Sequence, residues 1–124
     1  MTGFEGEIAS SEESMIHECT CGYRCLVGFE RVSIGDCVLA DVGQGVHIAA
    51  EVLSHFSVTT RGGTRLLTLV RVFDFARRAR SMCSEHRIGD AMWLRLEQII
   101  CATVWSPGPP IRVLTPSYIA PNFV

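Results

Sequence analysis

Lysine is absent from this chain. All eleven basic residues are arginine, so every side-chain cation is a planar guanidinium suited to bidentate and stacked contacts. No side chain offers an acetylation or ubiquitination site. Also missing is any apolar run near the ~20 residues that a membrane-spanning helix needs, so no membrane partner is expected. The first residues show no basic segment followed by an apolar one, so no secretory signal is expected. The six cysteines are then expected as reduced thiols in an intracellular, nuclear protein. No cysteine stands in a recognisable nucleophile setting, and the chain is expected not to be an enzyme.

What is there in abundance is apolar surface. Hydrophobic residues make up 48% of 124 residues and the mean hydropathy is +0.26, both high for a soluble domain of one-domain length. That surface must go into a core, a partner or both, and self-association into a homo-oligomer is one expectation. The net charge of −2 hides an asymmetry. Glu5, Glu7, Glu12, Glu13 and Glu18 stand among the first eighteen residues with no basic residue, whereas the remainder is net positive. Residues 1–14, acidic and rich in Ser and Gly, read as a disordered tail. Residues 15–124 read as a single β-rich domain.

Short strands are expected over 16–23 and 26–32, and the chain is organised around residues 34–73. Three strands are expected at 37–41, 46–56 and 65–73, separated by the glycine turns 42–45 and 61–64. Gly62-Gly63 suits a two-residue hairpin loop, and a slip of apolar parity around Ala49-Ala50 suggests a β-bulge or a sharp barrel bend. Residues 66–73 are nearly continuous apolar, as in a central strand. Asp74 as N-cap, with Phe75, Ala79 and Met82 at helical spacing, predicts a short α-helix near 74–82. Ile88-Gly89-Asp90 then repeats Ile34-Gly35-Asp36, which we read as convergence on a cheap way to enter a strand. A strand over 96–105, a proline-rich break at 107–110 and a last strand at 111–115 complete the reading.

This order suggests a family. Ile34-Gly35-Asp36-Cys37-Val38-Leu39 opens a strand, Ala50-Glu51-Val52-Leu53 lies on a second and Leu69-Val70-Arg71-Val72-Phe73 on a third. Leu96-Glu97-Gln98-Ile99-Ile100-Cys101 follows late. Over about residues 30–115 the chain resembles the bromo-adjacent homology (BAH) domain. The resemblance implies a small, bent SH3-like barrel that is mostly β, mediates protein contacts on chromatin or in a mobile-element protein, and does no catalysis. Two departures matter. Val72-Phe73-Asp74-Phe75 lacks the family's proline, and Cys101-Ala102 replaces its Gly-Lys, so an aromatic cage for histone tails does not carry over residue by residue.

Four constellations could serve a function. Phe73, Phe75, Trp93, Trp105 and Tyr118 could line a groove for a peptide or protein partner. Arg71, Arg77, Arg78, Arg80 and Arg87 could bind nucleic acid or an acidic partner. Cys21, Cys25, Cys83 and His86 have the count, though not the tight Cys-x2-Cys spacing, of a structural zinc site; no other cofactor is expected. His47 and His55, eight apart on one predicted strand, would share a face and read as satisfied structural histidines. The leading expectation is a non-enzymatic protein-binding module. The alternative is an arginine-based nucleic-acid-binding barrel that zinc could stabilise.

Overall fold

The computed structural model describes residues 15–18, 24–27, 30–80, 82–116 and 122–123. The expected tail at 1–14 lies outside them. The described chain is mostly β: β1 (Met15–Glu18), β2 (Arg24–Val27), β3 (Glu30–Ser33), β4 (Cys37–Gly43), β5 (Val46–Thr60), β6 (Gly63–Arg80), β7 (Cys83–Arg95), β8 (Ile99–Thr103), β9 (Trp105–Ser106) and β10 (Ile111–Leu114). A 3-10 turn at Leu96–Gln98 precedes β8, and the expected strand over 96–105 is therefore divided.

All described pairings between strands are antiparallel, in the order β8-β4-β5-β6-β7-β10-β9, with β1 on β5 and β2–β3 as a separate hairpin. Residues 99–106 supply both ends of that order. β8 pairs β4, β9 pairs β10, and the Leu114 N–H donates to the Val104 carbonyl between them. The sheet therefore curls back on itself in a barrel-like arrangement.

Register explains the two-sided burial. Residues directly opposite in a ladder share a face, and neighbours along a strand alternate. Cys37, Leu39, Ala49, Phe73, Cys101, Ile111 and Val113 meet on the inner face, with Trp105 and Phe123 against them. Val38, Ala40, Ala50, Val52, Val70, Leu94 and Ile99 meet on the other face, covered by Val32 of β3 and by Leu96 of the 3-10 turn. Each buried Val or Leu contributes about 1.5–3 kcal/mol. The parity slip at Ala49-Ala50 is thus no bulge: both alanines are buried because both faces of the sheet are covered. The bulge comes at Leu53, the extra residue between Val52↔Val70 and Ser54↔Leu69.

Three further expectations are corrected. The hairpin loop joining β5 and β6 is Arg61-Gly62, because Gly63 already pairs with Thr60. Residues 74–80 form no helix; they continue β6 along β7. Ala76 and Ala79 are extra residues in that ladder, between Phe75↔His86 and Arg77↔Glu85 and between Arg78↔Ser84 and Arg80↔Cys83. Each insertion turns a spacing of two into three, and so imitates a helical period. Finally, the two Ile-Gly-Asp stretches form no structural repeat, in keeping with convergence, but only the first enters a strand. The first is a turn with Gly35 at φ +92°. The second lies within β7, where Gly89-Asp90 bulges opposite Val72. Such a bulge blunts an edge strand, and only Cys83–His86 of β7 pairs with β10.

Candidate functional site

The arginines of β6 and β7 find their arrangement through the two alanine bulges. Arg77 opposes Glu85 and Arg80 opposes Cys83, so both point to the outer face, while Arg78 opposes the inward Ser84. Arg87 opposes Asp74 on β6, and Arg112 of β10 opposes Glu85 from the other side. Cross-strand rows result: Asp74–Arg87, Arg77–Glu85–Arg112 and Arg80–Cys83–Leu114. Arg77, Arg80, Arg87 and Arg112 are all exposed.

Glu85 organises the middle row. It is only 8% exposed. The Arg77 Nε–H donates to its Oε1 at 2.9 Å and Arg77 Nη2 to its Oε2 at 3.4 Å. Arg112 Nε stands 3.7 Å from Oε2. One carboxylate thus orients two guanidiniums whose outer edges face solvent. Four arginines against Glu85 and Asp74 leave this face net positive. Arg71 belongs elsewhere: it lies opposite Glu51 and Ala91 and donates to the Gly89 carbonyl at 3.5 Å. Arg112 was missed in the sequence because it stands alone, as the one basic residue of a short strand far from the other arginines.

The four described members of the expected aromatic set do not form one cage. Phe73 is buried and packs on Trp105 with centroids 5.1 Å apart, and Trp105 donates Nε1–H to the Gly35 carbonyl at 3.2 Å. Phe75 stacks on Phe123 at 5.6 Å, and Trp93 meets Phe56 edge-on at 5.2 Å. Tyr118 lies outside the described residues.

Of the expected metal set, Cys83 and His86 do not come together. Cys21 lies outside the described residues, and for Cys25 only the backbone position in β2 is described. Cys83 and His86 are three apart on a strand, so they point to opposite faces and cannot share one ion. Both His86 ring nitrogens are engaged. A carbonyl can only accept, so Nδ1–H donates to the Phe73 oxygen (3.0 Å) and bare Nε2 accepts from the Ser84 hydroxyl (2.8 Å). Among the described residues no three His, Cys, Asp or Glu side chains converge on a point that could hold a metal.

The other histidines separate too. The Leu53 bulge puts His55 on the opposite face from His47. His55 Nε2–H donates to the Val32 carbonyl (3.1 Å), and Nδ1 accepts from the Thr68 hydroxyl (2.8 Å). The structural reading of His55 stands, and it fastens β3 to the sheet. Burial lowers the pKa of both His55 and His86, opposed by their backbone hydrogen bonds and, at His86, by Asp74. Among the described residues, Cys37, Cys83 and Cys101 form no disulfide. Burial, opposed by a backbone hydrogen bond at Ala50, pushes the Cys37 thiol up to about 12, which keeps it protonated and unreactive.

Comparison of the chain with protein-family models, curated proteins and solved structures finds no match.

Proposed function

We propose that the chain is a non-enzymatic interaction module that binds an acidic protein or peptide through the outer face of β6, β7 and β10. The observation that carries this reading is the Arg77–Glu85–Arg112 row, flanked by Arg80 and Arg87. A guanidinium held by a buried carboxylate has lost part of its rotamer freedom beforehand, so binding a second carboxylate costs less ordering entropy.

A protein partner fits better than nucleic acid for two reasons. Asp74 and Glu85 interrupt the positive field where a continuous phosphate backbone would run. In addition, Phe75, the aromatic nearest in sequence to Arg77, lies on the inner face with its ring against Phe123 and His86, so this described aromatic is not a stacking platform for the arginines. The barrel-like sheet is compatible with an SH3-like or BAH-like architecture, and that resemblance is our reason for placing the partner on chromatin and the protein in the nucleus.

The test is fluorescence anisotropy with a glutamate-rich peptide and, separately, with a 20-base-pair DNA. Peptide binding is expected to weaken as salt rises. The triple variant Arg77→Ala, Arg80→Ala, Arg112→Ala should bind at least about tenfold more weakly, with each central arginine contributing on the order of 1 kcal/mol or more. Equal binding by the variant would end the proposal. DNA bound more tightly than the peptide would replace it with the nucleic-acid reading.

A further inference from the structure

A second feature lies on the inner face, apart from the arginines. His47, near the start of β5, pairs with Asp41 of β4 on one side. On its other side β6 has departed. The β5–β6 ladder ends at Ala49↔Phe73, and beyond Phe73 β6 follows β7 alone. A fork opens between the two strands, and Asn122–Phe123 fills it.

The contacts there are those of an added strand. Phe123 forms a parallel bridge with His47. The His47 N–H donates to the Asn122 carbonyl at 3.0 Å, and the Asn122 N–H donates to His47 Nδ1 at 2.7 Å. The Phe123 ring stacks on Phe75 (5.6 Å) and meets His86 edge-on (5.0 Å), joining the inner apolar cluster. His86 is held for this contact by Ser84 and the Phe73 carbonyl. Two backbone-directed hydrogen bonds and one aromatic pocket are the ingredients of strand-addition recognition. None of them depends on Phe123 belonging to the same chain.

We infer that the fork between β5 and β6 is a peptide-binding site for an extended segment bearing an aromatic residue, which Asn122–Phe123 occupies in cis and a partner peptide of the same chemistry occupies in trans. A tethered segment acts at an effective concentration on the order of millimolar, so the intramolecular occupant screens out weak ligands. Selectivity comes from the ring between Phe75 and His86 and from the extended backbone along His47.

The test uses the full chain carrying Phe123→Ala and a fluorescein-labelled hexapeptide Ile-Ala-Pro-Asn-Phe-Val. The peptide is expected to bind this variant at least tenfold more tightly than the unaltered chain, and an Ala-for-Phe peptide should not bind. Should Phe123→Ala lose its sheet signal in circular dichroism, Asn122→Pro serves instead. It removes the N–H given to His47 and should also raise peptide affinity. Equal affinity for altered and unaltered chains, or no binding to a folded variant, overturns the inference. So does a doubled mass of the unaltered chain in light scattering without any gain in either variant, because the fork would then be filled by a second copy.

Discussion

Glu85 shows how one side chain can set the character of a surface. Its carboxylate lies beneath Arg77 and Arg112 and neutralises part of their charge. Both arginines are more than half exposed at the side chain, so solvent weakens the pairs. Glu85→Gln should lower stability by only about 1 kcal/mol or less, read by urea denaturation, and should weaken acidic-peptide binding in the anisotropy assay because the two guanidiniums lose their positioning. Stronger binding would mean that the charge of the carboxylate outweighs its positioning, against the proposed role of the row. Two glycines make a similar contrast. Gly35 sits at φ +92°, where a Cβ is strained, so Gly35→Ala should cost about 1–2 kcal/mol. At Gly89 a Cβ would lie 2.6 Å from the Asp74 Oδ1, but Asp74 is exposed and can swing away. Gly89→Ala should therefore cost clearly less than Gly35→Ala in parallel melts.

At the scale of elements, β6 carries the argument. Its first half, nearly continuous apolar, is legible as a buried strand. Its second half is not, because Ala76 and Ala79 break the alternation that would have revealed it. The same two bulges bring Arg77 and Arg80 to one face, so the feature that hid the strand also built the candidate site. A bulge matters equally on β5. Without Leu53, His55 would point away from β3. In place, its ring spans the Thr68 hydroxyl and the Val32 carbonyl. His55→Leu leaves both partners buried without their hydrogen bonds and should cost about 2–3 kcal/mol. A loss below ~0.5 kcal/mol in chemical denaturation would contradict the fastening role of His55.

For the molecule as a whole, the segment 99–106 joins the two ends of the sheet, and the two buried histidines make stability depend on pH. His55 and His86 have folded pKa values below their ordinary value of 6.5, so the unfolded chain takes up protons first as pH falls. Their contribution is complete above about 6.5 and is lost on the way down to the folded values. Each costs about 1.4 kcal/mol per pH unit across that window. Protonation would also give Nδ1 of His55 and Nε2 of His86 a hydrogen, which the Thr68 and Ser84 hydroxyls now supply. Urea midpoints at pH 7.5 and 5.5 should therefore differ, with the lower value at pH 5.5, and double replacement of the two histidines should flatten the difference.

The sequence by itself determined that the chain would be mostly β, because runs such as 37–41 and 65–73 combine apolar, β-branched character with glycine turns, a local signal. It also showed that the positive charge would be arginine gathered between residues 71 and 87. Only the tertiary structure decided which arginines share a face, that Arg112 joins them from a distant strand, and that Phe73 and Trp105 serve the core. Those outcomes depend on ladder register, and one extra residue anywhere in a strand reverses every side chain beyond it. No local pattern records such an insertion; the partner strand does.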